Sequence, residues 1–96
     1  MAIAQAVREK REEILKVAAR RGAKNVRLFG SLARGEECAD SDVDLLVDME
    51  EGRSLLDLSN LLQDMEELLS CRVHVVEPEG LHWAIRERII KEAVPL

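Results

Sequence analysis

Apolar residues follow two periods along this chain. Over the first twenty positions Ile3, Val7, Ile14, Leu15 and Ala18 recur at helical spacing, with charged residues filling the opposite face. Arg20-Arg21-Gly22 makes a fitting helix end. Basic side chains suit the negative end of the dipole, and glycine takes the left-handed cap. The period then shortens to two. Val26 and Leu28 alternate within residues 25–29, predicting a short strand that Gly30 ends. Residues 42–48 predict a second strand, nearly continuous in Val and Leu at its end, as a buried strand is. Glu51-Gly52 turns the chain, and Ser54 with Asp57 three positions on has the form of a capping box. Leu55, Leu58, Leu61, Leu62, Met65, Leu68 and Leu69 then mark a strongly amphipathic helix. Residues 72–77 predict a third strand, closed by Pro78-Glu79-Gly80. Leu81, Ile85, Ile89 and Ile90 predict a last helix that stops before Pro95.

The order α-β-β-α-β-α predicts an α/β (α+β) fold, a small mixed sheet of three strands with helices packed on one face. The other face is expected to stay open. With no repeat, low-complexity stretch or linker, the 96 residues read as a single domain, 1–96, with room for one core and one shallow site.

Composition narrows the function. At 47% hydrophobic and 34% charged, this is the make-up of a compact soluble protein. The net charge of -5 argues against direct nucleic-acid binding through a basic surface. Arg8, Lys10, Arg11, Lys16, Arg20, Arg21, Lys24, Arg27 and Arg34 do crowd the N-terminal third, but Glu9, Glu12 and Glu13 interleave with them as on a solvated helix face. No apolar run approaches the roughly 18 residues of a membrane span, and no signal peptide is visible. Cys38 and Cys71 are too few for a disulfide framework or a metal-binding cysteine cluster. They read as reduced thiols, which points to the cytoplasm.

The candidate chemistry lies in Gly30-Ser31 and in Ser41-Asp42-Val43-Asp44. Carboxylates two residues apart on a strand point to the same face. Two like charges side by side call for a counter-charge, and Mg²⁺ is commonly held by one or two carboxylates plus substrate phosphates. Asp42 and Asp44 have the spacing to share a pair of ions roughly 3.5–4 Å apart, the arrangement that clamps attacking and leaving oxygens. Gly30 lets the backbone approach a phosphate, and Ser31 adds a hydroxyl and an amide donor. A helical turn beginning near Ser31 would aim further N–H groups at a triphosphate. Arg34 can stabilise departing pyrophosphate or pair with Glu36 or Glu37.

Gly30-Ser31, ten intervening residues, then Asp42-x-Asp44 resembles the signature of the DNA polymerase β-like nucleotidyltransferase superfamily. The wider string GSLARGEECADSDVDLLVD is similar to the minimal nucleotidyltransferases (the MNT-type antitoxins) that accompany HEPN-domain proteins in prokaryotes. The resemblance spans nearly the whole chain. It implies binding of Mg²⁺ and ATP or another nucleoside triphosphate, with Asp42 and Asp44 on the metal and Gly30 and Ser31 at the phosphates. It also implies transfer of AMP to a tyrosine of a partner HEPN toxin, acting as antitoxin. This sequence has no Tyr, so modification of a tyrosine of its own is excluded.

The resemblance departs at one position. The superfamily commonly carries a third carboxylate on the next strand of the site, and that position aligns with His74 in Arg72-Val73-His74-Val75-Val76. Three readings stay open for His74: a metal-adjacent residue, a general base for the incoming hydroxyl, or a relic in a weakened site. The weakened site is the preferred one, because a neutral imidazole brings no negative charge and Mg²⁺ favours oxygen ligands. Its consequence is a second metal position that holds its ion less well. The rival to an enzyme is therefore an impaired homologue that neutralises its partner by binding alone. Asp48, Glu50 and Glu51 read as a solvated acidic turn. His82 and Trp83 read as packing at the last helix, or Trp83 as an interface anchor.

Overall fold

The computed structural model describes residues 3–35 and 42–96, so Ser41, Glu36, Glu37 and Cys38 lie outside the described residues. The N-terminal amphipathic stretch is two helices, α1 (Ile3–Glu9) and α2 (Arg11–Arg20), rather than one. Lys10 leaves helical geometry between them at φ -100° and ψ 15°. The backbone bonds on either side persist, Lys10 N–H to Ala6 and Ile14 N–H to Lys10, so the break is a kink. The Lys10 ammonium reaches across to the Leu68 carbonyl at 2.7 Å. After α2, Gly22 takes φ +82° as expected of a left-handed cap.

β1 (Ala23–Phe29) runs antiparallel to β2 (Val43–Met49), and α3 (Leu55–Leu69) then carries the chain over to β3 (Val73–Val76). A helical crossover dictates a parallel pairing, and β2 and β3 are parallel. A 3-10 turn over Pro78–Gly80 leads into α4 (Trp83–Glu92) and then β4 (Val94–Pro95). The sheet order is β3-β2-β1-β4. The fourth strand is additional to the three expected. It is two residues long, pairing Val94 with Leu28 and Pro95 with Arg27, and two residues carry no periodic signal. α3 starts on the expected capping box, with the Ser54 N–H donating to Asp57 Oδ2 at 3.0 Å.

The alternation of β2 decides where the core and the site lie. Val43, Leu45 and Val47 point to the helices and join Val7, Ile14, Ala18, Leu61, Met65, Leu69 and Val73 in one buried cluster. Asp44, Leu46 and Asp48 point the other way. That second side is not wholly open, because Leu46 is fully buried there. Among the described residues, Leu46 and Ile89 of α4 are the buried apolar side chains outside the main cluster. The run Leu45-Leu46-Val47 is continuous because both of its sides are covered. No helix of the described residues is long and apolar enough to cross a membrane.

Candidate active site

β1 and β2 deliver a glycine and a carboxylate to the same point. Their register sets Phe29 opposite Asp44, so Gly30 follows at the strand end against that side chain. Gly30 adopts φ +78°, and a Cβ placed on it would collide with the Asp44 carboxylate. Glycine is needed here for its backbone angle and for the space. Past it the chain makes one helical turn, with Arg34 N–H donating to the Gly30 carbonyl at 3.2 Å and Gly35 N–H to that of Leu32 at 3.2 Å. Leu32 is buried in the main cluster and pins this turn to the domain. Ser31, Leu32 and Ala33 head the turn, where amides have no acceptor within it and suit an anion.

Asp42 and Asp44 share one parity and lie at the start of β2. Asp44 is register-paired with His74 of β3. His74 Nε2 lies 3.0 Å from Asp42 Oδ2, an ion pair when the imidazole is protonated and a hydrogen bond otherwise. Burial pushes the Asp44 carboxyl above its ordinary value of 3.8. His74 relieves that shift, Asp42 adds to it, Arg34 relieves it and Glu92 adds to it. A carboxylate held in this way is short of positive charge.

The donor chemistry fits a hard divalent cation. Two carboxylates face one way, the missing Cβ of Gly30 admits one of them against the turn, and triphosphate oxygens complete such a shell. Among the described residues no group of three His, Cys, Asp or Glu forms a ready-made metal cluster. A site that shares its ion with substrate phosphates needs none. An apolar cleft of about 310 Å³ lies elsewhere, between α1, the Gly30 turn and β4, and the carboxylates do not line it.

Of the residues singled out in the sequence, Gly30, Asp42, Asp44 and His74 come together directly, and Ser31 follows Gly30 in the turn. Arg34 is close enough for its charge to act on Asp44, and its guanidinium pairs with Glu92 of α4. Glu92 carries no sequence signal, since a glutamate near a helix end reads as surface charge. Asp48 is not merely solvated: Asn25 donates to it at 2.9 Å and Arg27 pairs with it at 3.0 Å across β1 and β2. His82 caps α4 by accepting the Ala84 N–H and stacks on Trp83, which is 79% exposed rather than packed. Burial pushes the Cys71 thiol up, with the charges of Asp42 and Glu66 adding to the effect.

A family model, the nucleotidyltransferase domain, matches residues 7–96. Protein adenylyltransferase MntA of Thermococcus cleftensis is 42% identical over 73 residues, 76% of this chain and 74% of its own. A candidate protein adenylyltransferase of Methanocaldococcus jannaschii is 39% identical over 88 residues, covering 92% of this chain and 95% of its own. The solved structure of a candidate minimal nucleotidyltransferase superposes with a TM-score of 0.89 at 49% identity, over 100% of this chain and 97% of that one. A toxin–antitoxin assembly solved with AMP-PNP superposes at 0.74 with 19% identity, over 88% and 69% of the two chains, a likeness of fold alone.

Proposed function

The chain belongs to the nucleotidyltransferase domain family, and from that premise we propose that it transfers AMP from ATP to a hydroxyl of a partner protein. The observation that carries the reading is the packing of Gly30 against an Asp44 carboxylate whose charge burial disfavours. The adenylyl group and the protein acceptor are supported by the names of the relatives, both protein adenylyltransferases.

In this reaction the acceptor oxygen bonds to the α-phosphorus, the bond to the β-phosphate oxygen breaks, and pyrophosphate leaves. Catalysis rests on positioning and charge neutralisation more than on acid or base strength. Asp42 and Asp44 hold the metal. Mg²⁺ bound there supplies Lewis acidity and neutralises the phosphoryl oxygens. The amides heading the Gly30 turn and the Ser31 hydroxyl donate to the phosphates. Arg34 takes up charge on the pyrophosphate. The acceptor is a tyrosine of a HEPN toxin, and the chain acts as its antitoxin in the cytoplasm. This assignment is supported by the motif resemblance and by a 42%-identical relative that carries the name MntA, the name borne by a component of a solved toxin–antitoxin assembly.

Incubation with the partner, Mg²⁺ and labelled ATP tests the reading. The expected result is an AMP adduct on the partner, read by mass, that disappears with Asp42→Ala. Neutralisation of the partner by Asp42→Ala without any adduct would overturn the enzymatic reading.

The contact between His74 and Asp42 favours a second reading, binding without turnover. An imidazole at the third carboxylate position withholds the charge that serves the acceptor's metal. His74→Asp is therefore expected to raise transfer about ten- to hundred-fold, the scale on which groups supporting a metal site act. A fall in transfer instead would give His74 a catalytic role of its own.

A further inference from the structure

Glu92 closes α4, and its side chain is only 16% exposed. A carboxylate at a helix C-terminus faces the negative end of the dipole and is costly to bury without a cation. Arg34 provides that cation through Nη1 on Glu92 Oε1, and Arg34 is itself 49% exposed. The same two charges act on Asp44, Arg34 drawing its carboxyl down and Glu92 pushing it up.

Resting on the nucleotide site described above, we propose that Glu92 is a latch on Arg34: it holds the guanidinium beside the carboxylates in the nucleotide-free protein and releases it to an arriving metal–triphosphate. The exchange balances in charge. Before binding, Arg34 pairs with Glu92, and its charge acts on Asp44 behind that of His74. A metal–triphosphate brings a cation for the aspartates and, in its phosphates, a more highly charged partner for the guanidinium. Arg34 sits at the end of the turn that opens at Gly30, so a short swing of an exposed side chain changes its partner. Glu92 is then a positioning residue that acts through Arg34. Breaking the pair opposes binding, so the latch lowers affinity for nucleotide.

The test is calorimetric titration of a non-hydrolysable ATP analogue with Mg²⁺ into the whole chain and into Glu92→Gln, Arg34→Ala and the double variant. Glu92→Gln keeps the shape and removes the charge. It is expected to tighten binding about two- to five-fold, the span of a partly exposed ion pair. In the Arg34→Ala background the same substitution is expected to lose most of that tightening, because only the direct charge of Glu92 on Asp44 remains. Equal tightening in both backgrounds would reduce Glu92 to a repulsive charge and overturn the latch. Weaker binding by Glu92→Gln would make Glu92 a support that holds Arg34 in its working position, which also overturns it. Either outcome leaves the nucleotide site standing. Failure of the unsubstituted chain to bind the analogue overturns the site and the latch together.

Discussion

Asp44→Asn is expected to abolish AMP transfer while making the metal-free protein more stable. The two effects have one cause. Asp44 sits at the start of β2, with burial and its acidic neighbours Asp42 and Glu92 disfavouring its charge. A charge held against such opposition is kept for what it binds. With Asp44 as the metal ligand of the proposed function, its removal costs more than the up to about hundred-fold loss typical of the groups that merely orient ligands, so transfer falls below that level. Stability moves the other way, and its sign follows from the raised carboxyl. At acidic pH, below the ordinary value of 3.8, Asp44 is protonated in both folded and unfolded chains and contributes no penalty. As pH rises through 3.8 toward the raised value, the unfolded chain ionises first. The folded state then carries the penalty, which is complete above the raised value. Asn never ionises. Its melting temperature is therefore expected to exceed that of the unsubstituted chain at pH 7. The gap closes toward pH 4. Added Mg²⁺ and ATP analogue narrow it at pH 7, because the bound state stabilises only the protein that retains the carboxylate. Thermal denaturation followed by circular dichroism reads all three. A variant less stable at neutral pH without metal would mean that Asp44 is satisfied within the fold.

The parts of this site that were legible in the sequence are those set by strand parity and turn chemistry. Asp42, Asp44 and His74 could be placed on one side of the sheet from alternation alone, and the register pairing of Asp44 with His74 agrees. The helical turn near Ser31 forms after Gly30, and the buried Leu32, which the sequence pattern did not single out, holds it to the core. What stayed hidden depends on how α4 packs. Glu92 meets Arg34 across 58 positions, and neither helical period nor charge spacing reports a contact of that range. The burial of Leu46 on the carboxylate side agrees with the continuous apolar run, which does not say which element covers its second side. β4 was missed because its two residues pair by proximity to the end of α4 rather than by any pattern of their own. The kink at Lys10 belongs with these, its ammonium bonded to a carbonyl of α3.

Gly30→Ala is expected to cost the domain both stability and activity, whereas Gly35→Ala costs some stability alone. Both glycines have positive φ, +78° and +76°, so alanine at either carries backbone strain of about 1–2 kcal/mol. They differ in what surrounds them. A Cβ at Gly35 meets nothing within 4 Å, while one at Gly30 enters the Asp44 carboxylate. Gly35→Ala thus measures strain by itself, and the further loss in Gly30→Ala measures the cost of turning the Asp44 carboxylate aside. The collision is relieved only by moving Asp44 or by opening the end of β1 away from β2. Either motion displaces Asp44, the metal ligand of the proposed function, relative to the Gly30 turn. A displacement of about 1 Å is worth about a hundred-fold in rate where catalysis is positional, so transfer by Gly30→Ala falls by at least that much. Shortening the opposing residue separates geometry from strain. In an Asp44→Gly background, Gly30→Ala should lose the collision and retain the strain, so its destabilisation falls to that of Gly35→Ala. The non-additivity, read from melting curves of the four proteins in the cycle, is the contact energy between turn and carboxylate. Strict additivity would mean that Gly30 serves only its backbone angle, and that the close approach of turn to carboxylate plays no part in building the site.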